Sequence, residues 1–166
     1  MSHNTYRPRV ELYVRSLCPA GASQEQNHTV DQLQALADQD RLSDLSIYVW
    51  GDRIAPETAR KTEEGQRLLD RIAAFKHWER ETDASLDGFR WQHDVTNLAT
   101  DESFSVIALP TMALSEFDNN TIQHVTPCTR DGQSLCVSDR VAKLTALPGA
   151  AESSGPNQMP TSQGSQ

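Results

Sequence analysis

Arg9-Val-Glu-Leu-Tyr-Val-Arg-Ser-Leu17, followed by Cys18-Pro-Ala-Gly21, decides how the rest of the chain is read. Val10, Leu12 and Val14 alternate with Glu11, Tyr13 and Arg15, the two-residue period of a strand with one buried face. Cys18-Pro-Ala-Gly21 breaks that strand. Beyond it, Ser23 is placed to cap a helix over 24–39, whose stripe is Val30, Leu33, Leu36 and Ala37. Leu45-Ser-Ile-Tyr-Val-Trp50 is the next strand, stopped by Gly51-Asp. A strand, a helix and a second strand in this order predict a parallel pair joined by a crossover.

The strongest helical pattern lies over 63–82, where Leu68, Leu69, Ile72, Phe75 and Trp78 share one face among alternating charges. A strand over 89–95 and the apolar run Phe104-Ser-Val-Ile-Ala-Leu-Pro-Thr-Met-Ala-Leu114 follow. Asn119-Asn120 can adopt positive φ and so predicts a hairpin turn, with 121–125 as the return strand. A final helix over 134–147 carries Val137, Val141, Leu144 and Leu147. The order β-α-β-α-β-β-β-α describes a mixed sheet with helices on both faces, in one domain over 9–147 behind a polar lead at 1–8. From Pro148 onward Gly, Ser, Pro and Gln dominate, so 148–166 is expected to be a disordered tail.

Composition bounds the function. The 166 residues carry 23 Asp and Glu against 15 Lys and Arg, a formal net charge of −8. Arginine outnumbers lysine twelve to three. Such an acidic, lysine-poor surface suits a protein kept soluble in molar salt, where the Debye length is about 3 Å and net acidity argues less against a nucleic-acid partner. No apolar run is long enough for a membrane span, and the N-terminus has no secretory pattern, so a cytoplasmic protein is expected. Cys18, Cys128 and Cys136 are too few, and odd in number, for a disulfide framework. No His-x3-His, Cys-x2-Cys, phosphate-binding glycine loop or nucleophile elbow occurs, so neither a metal nor a cofactor is expected. Trp50, Trp78 and Trp91 are expected in or at the edge of the core.

The element order, the Cys18-Pro19 turn after the first strand and Leu109-Pro-Thr-Met-Ala-Leu114 together resemble the thioredoxin fold. That resemblance implies a cis proline at a strand entry beside the active site, with Pro110 and Thr111 as binding residues. It also implies that Cys18 and Cys128 lie at one end of the sheet. Gly21 stands where a dithiol enzyme has its second cysteine, so the implied chemistry is at most that of a monothiol oxidoreductase using Cys18, with Cys128 as a partner.

A second resemblance spans nearly the whole chain up to the tail. Arg9-Val-Glu-Leu-Tyr-Val-Arg-Ser-Leu17, Tyr48-Val-Trp-Gly51, Leu109-Pro-Thr-Met-Ala-Leu114 and His124-Val-Thr-Pro-Cys128 are similar to a haloarchaeal family of helix-turn-helix domain-containing proteins. It implies a non-enzymatic binding or regulatory protein linked to transcription, with a DNA or protein partner. Val30-Asp-Gln-Leu-Gln-Ala-Leu36 with Arg41-Leu-Ser-Asp-Leu45 resembles the last helix and first wing strand of winged helix-turn-helix regulators, the alternative fold. Yet only one helix is expected between the strands at 10–17 and 45–50, whereas the motif needs two joined by a short turn. The other reader is the long helix, with Arg60, Arg67 and Arg71 as candidate DNA contacts. Over 57–83, six Lys and Arg face seven Asp and Glu, a balance expected of a solvated, salt-bridged face.

Overall fold

The structure is a computed structural model and describes residues 6–17 and 23–147. Cys18 and the tail at 148–166 lie outside the described residues. In chain order the elements are β1 (Arg9–Val14), α1 (Gln24–Asp38), β2 (Asp44–Val49), β3 (Arg53–Ile54), α2 (Pro56–Ala59), α3 (Glu63–Thr82) and β4 (Ser85–Leu86). Then come β5 (Arg90–Asn97), β6 (Glu102–Ala108), β7 (Met112–Asp118), β8 (Thr121–Thr126), β9 (Cys128–Arg130), β10 (Gln133–Leu135) and α4 (Val137–Ala146).

Local chemistry explains the boundaries. Ser23 caps α1, its Oγ accepting from Gln26 N at 3.0 Å. Thr62 caps α3 in the same way, accepting from Gly65 N at 2.9 Å. Asn119 and Asn120 take φ of 49° and 71° in the β7–β8 turn, the left-handed pair that a tight hairpin requires.

The main sheet has the order β2-β1-β7-β8. β1 runs parallel to β2, with Leu12 opposite Ile47, and antiparallel to β7, with Leu12 opposite Leu114. β7 and β8 close the expected antiparallel hairpin. Mixed α/β architecture with helices on both faces of this sheet is therefore what the sequence leads to. Val10, Leu12 and Val14 pack with Leu33, Leu36, Val141 and Leu144 of α1 and α4. Tyr13 points the other way, into a cluster with Trp50, Ile72, Phe75 and Trp78 beside α3. The Tyr13 ring lies 4.9 Å from Trp50 and 5.8 Å from Phe75, the latter edge-on.

Three expectations are corrected. β1 is not half-buried: Glu11 and Tyr13 are as enclosed as the valines, because α3 covers the face the alternation assigns to solvent. The apolar run 104–114 is not one strand. Pro110, with no N–H to donate, separates β6 from β7, and the two strands belong to different sheets. β6 instead forms a second sheet of order β3-β6-β5, and β10-β9-β4 forms a third. Finally, the cis peptide bond precedes Pro127, while the Leu109–Pro110 bond is not cis.

Candidate functional site

The two helices α2 and α3 are joined by residues 60–62 alone, a two-helix corner that periodicity did not reveal because α2 is a single turn. Pro56 opens α2 at its first turn, and Lys61 N and Thr62 N bond back to Thr58 O and Ala59 O. Close approach is enforced at Gly65, where an added Cβ would lie 2.2 Å from the Ala59 carbonyl oxygen. Only glycine lets the first turn of α3 rest on the end of α2.

This corner gathers positive charge. Arg60, Lys61 and Arg67 line one hollow together with Glu63 and Asp70. Arg60, Lys76 and Arg80 line an adjoining groove of about 420 Å³, with Asp70, Leu69, Ile72, Trp91 and Ile107. The two hollows share Arg60, Gln66 and Asp70, so they form one strip along α3 lined by five cations and two carboxylates. Among the described residues, no ion pair joins Arg60, Lys61, Arg67 or Arg80. That strip is the opposite in sign of a chain whose net charge is −8.

Some of the acids along α3 are engaged elsewhere, while Glu63 and Glu64 of its first turn stay exposed. Glu79 is turned to the fold, accepting from Leu86 N at 2.6 Å and pairing with Lys76 at 3.3 Å. Glu81 is paired with His77 at 3.1 Å, and Asp70 accepts from Gln66 Nε2 at 2.8 Å. Among the candidate contacts, Arg60 and Arg67 sit on the strip and Arg71 does not. Arg71 faces the sheet, 2.8 Å from the Glu11 carboxylate. Lys61, Lys76, Arg80 and Trp91 line the strip without having been singled out; the four-residue spacing of Lys76 and Arg80 is the signal that places them on one face.

Cys128, Cys136 and the Pro110 turn are arranged differently. Cys128 on β9 is fully buried and free, and burial, followed by the Asp87 carboxylate, pushes its pKa up. Pro110 is half-buried, its carbonyl accepting from Trp50 Nε1 at 3.2 Å, while Thr111 is exposed. Cys136 is the exposed N-cap of α4, its backbone N–H bonded to Asp139 at 3.1 Å. Among the described residues no group of three or more His, Cys, Asp or Glu side chains is placed to hold a metal ion. No helix among them is long and apolar enough to cross a membrane.

Residues 2–148 match the family model described as a helix-turn-helix domain. The chain belongs to that family. No curated protein and no solved structure matches it.

Proposed function

We propose that the protein is a non-enzymatic, transcription-linked regulator that binds DNA through the α2–α3 corner. The observation that carries this reading is the cationic strip at the α2–α3 corner of an acidic chain. Arg60, Lys61 and Arg67 flank the start of α3, where they outnumber the Glu63 and Glu64 carboxylates of its first turn. Family membership over nearly the full chain supports the same reading. The strand order β2-β1-β7-β8 supports a thioredoxin-like core beneath that corner, used as a scaffold and not for thiol chemistry. The arginine-rich, acidic composition supports a haloarchaeal cytoplasm as its setting.

Fluorescence anisotropy with labelled duplex DNA, taken from low to molar KCl, tests the proposal. Binding should weaken with salt as condensed counterions are released on phosphate contact. Arg60→Ala and Arg67→Ala should each weaken binding and reduce the log–log salt slope by about one. Retention that ignores both substitutions, or no binding at any salt, rejects the corner as the interface.

A further inference from the structure

The groove beside the corner has features that phosphate contacts alone do not require. It runs between α3 and the β3-β6-β5 sheet, and its volume of about 420 Å³ lies in the range of about 300–1,000 Å³ typical of small-molecule sites. Leu69, Ile72 and Ile107 make an apolar floor. Trp91 forms a flat wall and is 36% exposed, whereas Trp50 and Trp78 are 6% and 4% exposed in the core. Lys76 Nζ stands 4.1 Å from the centre of the Trp91 ring. Arg60 and Arg80 complete the rim, and the one carboxylate lining the groove, Asp70, already accepts from Gln66.

From this geometry we infer that the groove is a binding site for a planar aromatic carboxylate, distinct in chemistry from the neighbouring hollow at the start of α3 with which it shares Arg60. An aromatic ring set beside Lys76 against the exposed part of the indole would cover it and the half-buried Leu69, shedding water from both surfaces. Its carboxylate would replace water around the rim, where a guanidinium can offer two parallel N–H donors. A ring without the charge leaves Arg60 and Arg80, which no ion pair joins among the described residues, unanswered. A bare anion leaves Leu69 and the exposed part of the indole uncovered. The groove therefore discriminates by requiring both halves of the ligand, and its occupation does not depend on whether the corner binds DNA.

Indole N–H resonances of the full chain report the test directly, since each tryptophan contributes one and Trp91→Phe assigns the one in the groove. Naphthalene-2-carboxylate, added at low salt without DNA, should shift the Trp91 resonance saturably and leave those of Trp50 and Trp78 in place. Arg80→Ala, an exposed change that leaves the core intact, should weaken that binding about tenfold, the value of one charge-assisted hydrogen bond. 2-Naphthylmethanol and inorganic phosphate should each bind at least about tenfold more weakly than the acid. The site is rejected if the acid gives no saturable shift, or if the alcohol matches it. It is equally rejected if phosphate alone matches it, which would make the groove part of the phosphate strip, or if Arg60→Ala, Lys76→Ala and Arg80→Ala all leave the affinity unchanged.

Discussion

Arg71 Nη2 of α3 lies 2.8 Å from Glu11 Oε1 of β1, which ties the long helix to the centre of the main sheet. Glu11 is only 1% exposed, and Arg9 approaches its other oxygen at 3.5 Å. Both guanidiniums lie over the Phe117 ring, at 4.1 Å and 4.7 Å. Removing Arg71 leaves a buried carboxylate with only the long contacts of Arg9 at 3.5 Å and the Tyr13 hydroxyl at 3.3 Å, a change that typically costs about 3–5 kcal/mol. Arg71→Met should therefore lower the urea midpoint strongly, whereas exposed Arg67→Ala should change stability by no more than about 0.5 kcal/mol. The opposite ranking would show that Arg71 does not hold the helix.

A second buried carboxylate makes a comparable prediction on the other face of the sheet. Arg140 of α4 grips Glu116 of β7 with two N–H groups, the Nη2 contact at 2.8 Å, and Glu116 is completely enclosed. The same hydrogen bond pushes the Arg140 pKa up, so its charge is permanent. Arg140→Met should cost about 3–5 kcal/mol by thermal or urea unfolding, because it leaves the enclosed Glu116 charge with the Tyr6 hydroxyl at 3.1 Å in place of its cation. Combining it with Glu116→Leu should recover most of that loss, since a matched apolar pair has no charge to desolvate. If the double variant is as unstable as the single one, packing and not the stranded charge sets the cost.

His124 gives the fold a slope with pH. Burial, and then the neighbouring Arg140 charge, lower its pKa from the ordinary 6.5. Its ring packs edge-on to Trp78 at 5.7 Å, and its Nε2 is buried without a hydrogen-bond partner. The folded state thus holds the ring neutral, while the unfolded chain takes up a proton below 6.5. The stability contributed by the neutral ring is complete above 6.5 and is lost as pH falls from there through the lower folded value. His124→Gln should flatten the acid limb of the stability profile relative to the parent protein. Parallel profiles would mean that other groups set the slope.

Thiol accessibility separates the regulator from a thiol enzyme. In a Cys18→Ser background, Ellman's reagent should titrate Cys136 promptly, because it sits exposed at the start of α4. Cys128 should react only after unfolding, since it is fully buried and its thiolate is disfavoured. A second thiol titrating in the native protein would restore Cys128 as a redox candidate.

What the sequence makes legible is whatever depends on near neighbours. The ends of α3, the Ser23 cap and the Asn119–Asn120 turn all follow from short-range pattern and capping chemistry, and each is found in place. Pairing of short strands is not local. β3, β4, β9 and β10 have two or three residues each, too few for a period to show. The strip was hidden for a related reason. A count along α3 weighs Glu79 and Arg80 equally, although one is turned into a hydrogen bond with Leu86 N and the other lines the groove. Likewise Arg67 and Arg71 differ by one helical turn, yet their slight angular offset puts one in solvent and the other on Glu11.

Gly65 connects stability to the proposed DNA interface. It occupies the first turn of α3, where alanine would ordinarily stabilise a helix by about 1 kcal/mol relative to glycine. Here the added Cβ would fall 2.2 Å from Ala59 O and 2.8 Å from Ala59 Cα, both backbone atoms that no rotamer change can move. The sign should therefore reverse, with Gly65→Ala lowering stability by about 1–3 kcal/mol, the usual range for overpacking. Exposed Glu64→Ala, one residue away, should stay within about 0.5 kcal/mol of the parent. Because relief of the clash must push α2 away from α3, Arg60 and Lys61 move with it, and DNA affinity should fall in the folded Gly65→Ala protein. Lower stability with unchanged DNA affinity would show that the corner is structural and that phosphate is met elsewhere.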